Sequence, residues 1–251
     1  MFKFKLSDGK VFRDAVTAVS TLIDEATFNI DPEGIKLRAM DPSRVAMVDF
    51  AIQKTAFDEY VCSEAAKVCL NLGELLKLLK RAGKDEAIEM SPDEKTGQFT
   101  ITIRGKYTRT FSMPTLEVNE EEVPTPKITF NAKVTVTTEG LREALEDVAL
   151  VSDHVRIETD TENVLMNAKG DIMGANIELK KGSDALLSVE AKEPSKATFS
   201  LSYLSEIVKA AVATSDVVTL EFSTDMPIQL DFKQRYDGRL IYFLAPRIEV
   251  E

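Results

Sequence analysis

Between residues 77 and 84 four cations stand at helical spacing. Over 72–82 the apolar residues Leu72, Leu75, Leu76 and Leu79 form one stripe, and Lys77, Lys80, Arg81 and then Lys84 fall on the opposite side. Side chains of this kind hold phosphate oxygens by charge, in contacts that depend on salt and not on base sequence. A plainer account is that Lys and Arg near a helix C-terminus offset its dipole, with Gly83 as the cap. The first helix weakens that account. It opens with Lys10 and carries Arg13 opposite its apolar stripe, Arg13 recurs 129 positions later as Arg142, and Lys80 recurs at the same offset as Lys209. Several such helix faces around an axis would make a positive lining inside an acidic molecule.

Other chemistry has little support. His154 is the only histidine, which removes most histidine metal sites and every histidine relay to a nucleophile. Cys62 and Cys69, the only cysteines, lack CxxC spacing and are expected to be two buried thiols. A nuclease or phosphatase would need clustered carboxylates, but Asp and Glu scatter along solvent faces, and no Gly-rich phosphate loop occurs. We therefore assign no catalytic residue, metal or cofactor and expect a protein that is not an enzyme.

The totals bound what remains. A chain of 251 residues with 44% hydrophobic content can fill two domains of ordinary size. Its net charge of -11 argues against nucleic acid unless the positive charge is segregated. The opening MFKFKLSDGKVF has no long apolar stretch, and no run approaches the roughly 20 residues needed to cross a bilayer. The expected location is cytoplasmic, with no membrane partner.

These cations are positioned by a repeat. Phe12, Ala15, Val16, Val19 and Leu22 recur, 129 residues on, as Leu141, Ala144, Leu145, Val148 and Val151, all at helical spacing. Asp31, Glu33, Gly34, Ile35, Leu37 and Ala39 reappear as Asp160, Glu162, Asn163, Val164, Met166 and Ala168, a turn followed by a strand, with Gly and Asn suited to a positive φ. Leu72, Leu75, Leu78 and Leu79 map onto Leu201, Leu204, Ile207 and Val208, a second shared helix. Between the helices lie alternating runs: ATFNID, IKLRAMD, VAMVDFAIQ and QFTITIRGK in the first half, HVRIETD, VLMNAK, VVTLEF and PIQLDFK in the second. Each half is then α+β, with two helices on antiparallel sheet. Residues 113–127, MPTLEVNEEEVPTPK, read as an exposed join, with Pro114, Pro124, Pro126 and the acidic run Glu120, Glu121 and Glu122. The expected division is a first domain over 1–115, a linker over 116–127 and a second domain over 128–251.

RAMDPSRVAMVDF at 38–50, FSLSYLSEIVKA at 199–210 and the ending DGRLIYFLAPRIEVE closely resemble the archaeal members of the proliferating cell nuclear antigen (PCNA) family of DNA sliding clamps. The resemblance implies a homotrimeric ring of two-domain subunits, sheets outside and helices inside, around double-stranded DNA. The channel cations would be Lys10, Arg13, Lys77, Lys80, Arg81, Lys84, Arg142 and Lys209. Glu146, Ser202 and Glu206 interrupt that lining in the second domain, so the first would supply more of the contact. The subunit joint would pair the strand around Thr108, Arg109 and Thr110 with that around Asn176, Ile177 and Glu178, with Arg81, Lys84 and Arg109 facing Glu139, Glu143 and Asp147. A pocket for a partner's PIP-box peptide (a glutamine, then aliphatic and aromatic plugs) would be lined by Met40, Arg44, Val45, Met47, Val123, Pro124, Pro227, Phe243, Ala245 and Pro246. Implied partners are a clamp loader, DNA polymerase, flap endonuclease and DNA ligase. The rival without DNA is an acidic two-domain adaptor for other proteins.

Overall fold

The structure, a computed structural model, describes residues 1–118 and 123–248, so the acidic run Glu120, Glu121 and Glu122 lies outside the described residues. Contacts divide the chain into two units: Met1–Met40, Val48–Val123 and Gln234–Leu240 form one, and Asp41–Met47, Pro124–Lys233 and Ile241–Glu251 the other. None of the helices among the described residues is long and apolar enough to cross a membrane.

The first half runs β1 (Phe2–Leu6), α1 (Lys10–Val19), β2 (Glu25–Asp31), β3 (Gly34–Met40), β4 (Ala46–Gln53), β5 (Glu59–Cys62), β6 (Ala66–Asn71), α2 (Leu72–Leu79), β7 (Ala87–Pro92), β8 (Phe99–Arg104) and β9 (Thr108–Met113). The second repeats it as β10 (Ala132–Thr137), α3 (Thr138–Ala149), β11 (His154–Thr159), β12 (Asn163–Lys169), β13 (Gly174–Lys180), β14 (Leu186–Ala191), β15 (Ser195–Ser200), α4 (Leu201–Ala211), β16 (Val217–Phe222), β17 (Ile228–Lys233) and β18 (Arg239–Leu244). Strand order repeats too: β5-β1-β7-β8-β9 and β4-β3-β2-β6 correspond to β14-β10-β16-β17-β18 and β13-β12-β11-β15. Strand pairs such as β2–β6 and β11–β15 are antiparallel, and equivalent pairs keep register: Phe28 faces Val68 as Ile157 faces Ala197. The offset of 129 slips by one at β16, since Ile88 faces Ile103 but Val218 faces Phe232.

The helices bury the stripes that periodicity marked. Leu72, Leu75, Leu76 and Leu79 of α2 are buried, as are Leu141, Ala144, Leu145 and Val148 of α3. α1 packs on α2 and α3 on α4. Asn71 starts α2 by accepting the Glu74 amide on its side-chain oxygen at 2.9 Å, and Thr137 caps α3 through the Gly140 amide at 3.2 Å. α2 ends at Leu79 and not at 82, because the Arg81 and Ala82 amides reach only three residues back, to Leu78 and Leu79. Leu22 and Val151 belong to the turns after α1 and α3, not to the helices.

Two expectations need correction. The turn before β3 and β12 does not depend on a positive φ at Asn163; the shared device is an aspartate. Asp31 accepts the amides of Glu33 (2.8 Å) and Gly34 (3.1 Å), and Asp160 those of Glu162 (2.7 Å) and Asn163 (2.8 Å). Gly34 is required for space, since a Cβ there would lie 2.2 Å from the Ile52 carbonyl oxygen. Of the two thiols only Cys69, inside β6, is buried; Cys62 ends β5 and is half-buried.

Candidate functional site

The cations sort by whether the chain already partners them. Lys10, Lys80, Arg81, Lys84 and Lys209 are exposed and form no salt bridge among the described residues. Lys77 is exposed but sits 2.6 Å from Glu74, one turn back on α2. Arg13 lies 3.1 Å from Asp14. Arg142 is the most committed: its guanidinium bonds Glu139 at 2.6 Å and also holds Glu146, which fixes its positive charge and holds the Glu139 carboxyl below its ordinary range. The free positive charge therefore concentrates at the C-terminal end of α2 in the first unit, with Lys209 as its counterpart on α4. Ser202 and Glu206 of α4 are exposed beside Lys209.

The second unit builds a loop around a buried carboxylate. Asp41, at 4% exposure, accepts the amides of Ser43 (3.0 Å), Val45 (2.7 Å) and Ala46 (2.7 Å) and the Tyr203 hydroxyl (2.8 Å). Burial raises its pKa, but these hydrogen bonds outweigh it and hold the carboxyl below its ordinary value, with Ala46, Tyr203, Val45 and Ser43 as donors in descending order. The same contact raises the Tyr203 hydroxyl. This grip keeps Arg44 in the left-handed region at φ 57° and sets Val45 where its carbonyl receives the Ala245 amide at 2.9 Å. Of the expected pocket residues, Arg44, Val45, Met47, Pro124, Pro227, Phe243, Ala245 and Pro246 belong to this unit, while Met40 and Val123 belong to the first. Val45, Pro227, Phe243, Ala245 and Pro246 are half-buried, and Arg44 and Pro124 are exposed. Met47 is at 4% exposure, a core residue in the lone chain.

In the order of strands, β9 stands at the end of the five-stranded sheet of the first unit and β13 at the end of the four-stranded sheet of the second. Glu178 on β13 is exposed and lies 3.2 Å from Lys180. Arg109 on β9 already has partners within the chain. It holds the Glu86 carboxylate, donates to the Arg81 carbonyl at 3.1 Å and lies 5.1 Å from the centre of the Tyr107 ring. Glu86 also accepts the Gly83 amide at 2.9 Å, and both contacts hold its carboxyl below the ordinary range, the Gly83 bond first. Glu143 and Asp147 are exposed on α3, and Glu139 is engaged by Arg142.

Comparison with known proteins bears on the whole chain. Residues 1–123 match the family model for the proliferating cell nuclear antigen N-terminal domain and residues 124–247 that for its C-terminal domain. The chain belongs to the PCNA family. It is 36% identical over 248 residues to the DNA polymerase sliding clamp of Pyrococcus furiosus, covering 99% of each chain. It is 39% identical over 242 residues to DNA polymerase sliding clamp 1 of Pyrobaculum aerophilum, covering 96% of each. The crystal structure of PCNA from Thermococcus kodakaraensis superposes with a TM-score of 0.93 at 25% identity, over 98% of this chain and 100% of that one. The fold expected of a PCNA chain, two similar α+β domains with antiparallel sheet and two helices each, is the fold observed.

Sequence reading passed over the residues that fix these PCNA features in place. Asp41 and Tyr203 sit inside the quoted segments, and the Asp-Pro-Ser run is a turn signal that could have marked Asp41. Glu86 carried no such signal, because its pairing with Arg109 depends on which strands lie side by side.

Proposed function

We propose that this chain is a DNA polymerase sliding clamp, a non-catalytic ring subunit that surrounds duplex DNA and docks replication enzymes. The observation that carries the reading is the set of cations without a salt bridge among the described residues at equivalent places in the two duplicated units, Lys80 at the C-cap of α2 and Lys209 in α4 above all, in a chain of net charge -11 that aligns end to end with clamps. Lys10, Lys80, Arg81, Lys84 and Lys209 are the proposed phosphate contacts. Arg13, Lys77 and Arg142 contribute less, since neighbouring carboxylates offset them.

Three copies close the ring, β9 of one subunit pairing with β13 of the next. Such pairing removes two sheet edges at once, and a head-to-tail interface closes when the rotation per subunit allows. Arg81 and Lys84 face Glu143 and Asp147 across the joint, while Arg109 braces it from within by holding Glu86 and the Arg81 carbonyl. The apolar residues around Val45, Pro227, Phe243, Ala245 and Pro246, with Met40 and the linker at Val123 and Pro124, take PIP-box peptides of the polymerase, the clamp loader and other clients such as a flap endonuclease or ligase. Small and rigid residues at Ala245 and Pro246 leave room for an aromatic plug and lose little entropy on binding.

Equilibrium sedimentation tests the assembly. The 27.9 kDa chain is expected to sediment at three times that mass. A monomer at every concentration and salt would remove the ring and return the adaptor reading.

A further inference from the structure

The segment that joins the two halves contains Pro124 and Pro126, which have no N–H to give to a sheet. Val123, directly before a proline, is biased to extended backbone and away from helix. Such a segment offers few N–H groups, and the described residues show two anchor points on the first unit. At the near end the Leu116 amide donates to the Cys69 carbonyl at 2.8 Å. At the far end Arg38 donates from one terminal nitrogen to the Val123 carbonyl at 3.3 Å.

Arg38 is itself fixed. Its Nε and other terminal nitrogen bond a single oxygen of Asp49 at 3.2 and 2.7 Å, and the Asp49 side chain is only 7% exposed. The second Asp49 oxygen is taken by Arg239 at 3.1 Å. One buried carboxylate thus orients two guanidinium groups, of which, among the described residues, Arg38 alone reaches the linker.

We infer that Arg38 is a positioning residue for partner binding: clamped by Asp49, it fixes the point at which the linker leaves the first domain. This rests on the proposed peptide-binding reading, because a linker that forms one wall of the pocket must be placed before a peptide can use it. Pre-placing that wall lowers the ordering cost of binding. Arginine is needed because one planar fork serves the carboxylate and the carbonyl together, which the single ammonium of lysine cannot do. Arg239 provides the control. Either arginine can be removed without orphaning Asp49, since the other still pairs with it.

The test compares the wild-type clamp with Arg38→Met, Arg38→Lys and Arg239→Met. Two readouts are followed: tryptic cleavage after Lys127, and titration with a synthetic PIP-box peptide, a glutamine followed by aliphatic and aromatic residues. Both Arg38 variants are expected to speed cleavage and weaken the peptide by about tenfold, while Arg239→Met behaves as wild type. If the Arg38 and Arg239 variants behave alike in cleavage, whether both change or neither does, the inference is overturned. Failure of the wild-type protein to bind the peptide would instead remove the pocket reading, and cleavage alone would then decide the role of Arg38.

Discussion

Asp41 shows how one side chain places several others. Its carboxylate accepts three backbone amides and a tyrosine hydroxyl, so replacement by asparagine would set an NH2 group against the donors of Ser43 and Tyr203. Asp41→Asn is expected to cost about 2–3 kcal/mol at neutral pH, measured by denaturant unfolding, and to loosen Arg44 and Val45. The pH dependence follows from the sign of the shift. A carboxyl whose folded pKa is depressed stabilises the fold fully above the unfolded carboxylate range and loses that contribution as pH falls through the folded value. Thermal unfolding between pH 3 and pH 7 should therefore show wild type losing stability on acidification faster than Asp41→Asn, and parallel curves would contradict this. Tyr203→Phe removes one of the four donors and should give a smaller change in the same direction. The basic positions were legible in the sequence because helical spacing places side chains relative to one another. Their state of pairing was not, since Glu86 reaches Arg109 across 23 residues of chain and a pairing of strands that no local pattern reveals.

At the level of elements, the repeat was readable wherever side chains alternate or recur with helical period. The four helices and the strands β2, β3, β4, β8, β11, β12, β16 and β17 carry such patterns. β5 (EYVC) and β14 (LLSVEA) do not, because they lie at sheet edges, where β5 alternates only between exposed and half-buried and β14 has no regular alternation; their place comes from pairing to β1 and β10. Helix ends were less legible, because the closing turns of α1 and α3 keep apolar residues, Leu22 and Val151, at helical spacing. The buried stripes give a direct stability prediction. Leu75→Ala, at a site 1% exposed on α2, should cost about 2–5 kcal/mol by denaturant unfolding and tilt the cationic end of that helix, whereas Lys80→Ala should leave stability nearly unchanged. Reversing Arg109 to Glu should break its hold on Glu86 and the Arg81 carbonyl and weaken self-association in a salt-dependent manner, followed by sedimentation. Association insensitive to both would remove Arg109 from the joint.

For the whole molecule, the paradox is an acidic protein assigned to a polyanion. It resolves when acidic and basic side chains are segregated and the cations converge only after subunits assemble. Binding should then be independent of base sequence and steep in salt, with each removed phosphate contact lowering the slope of log affinity against log salt by about 0.9. Replacing Lys80 and Lys209 together by Ala should reduce DNA retention while leaving peptide binding intact. The proposed ring closure was not legible from composition or periodicity, because a number of copies is set by an angle between subunits that no local pattern encodes. The most direct measurement is retention on a nicked circular duplex after loading, followed by cutting the circle with a restriction enzyme. The protein is expected to co-elute with the circle and to be lost once the duplex is linear; equal retention on circular and linear DNA at the same salt would contradict encirclement.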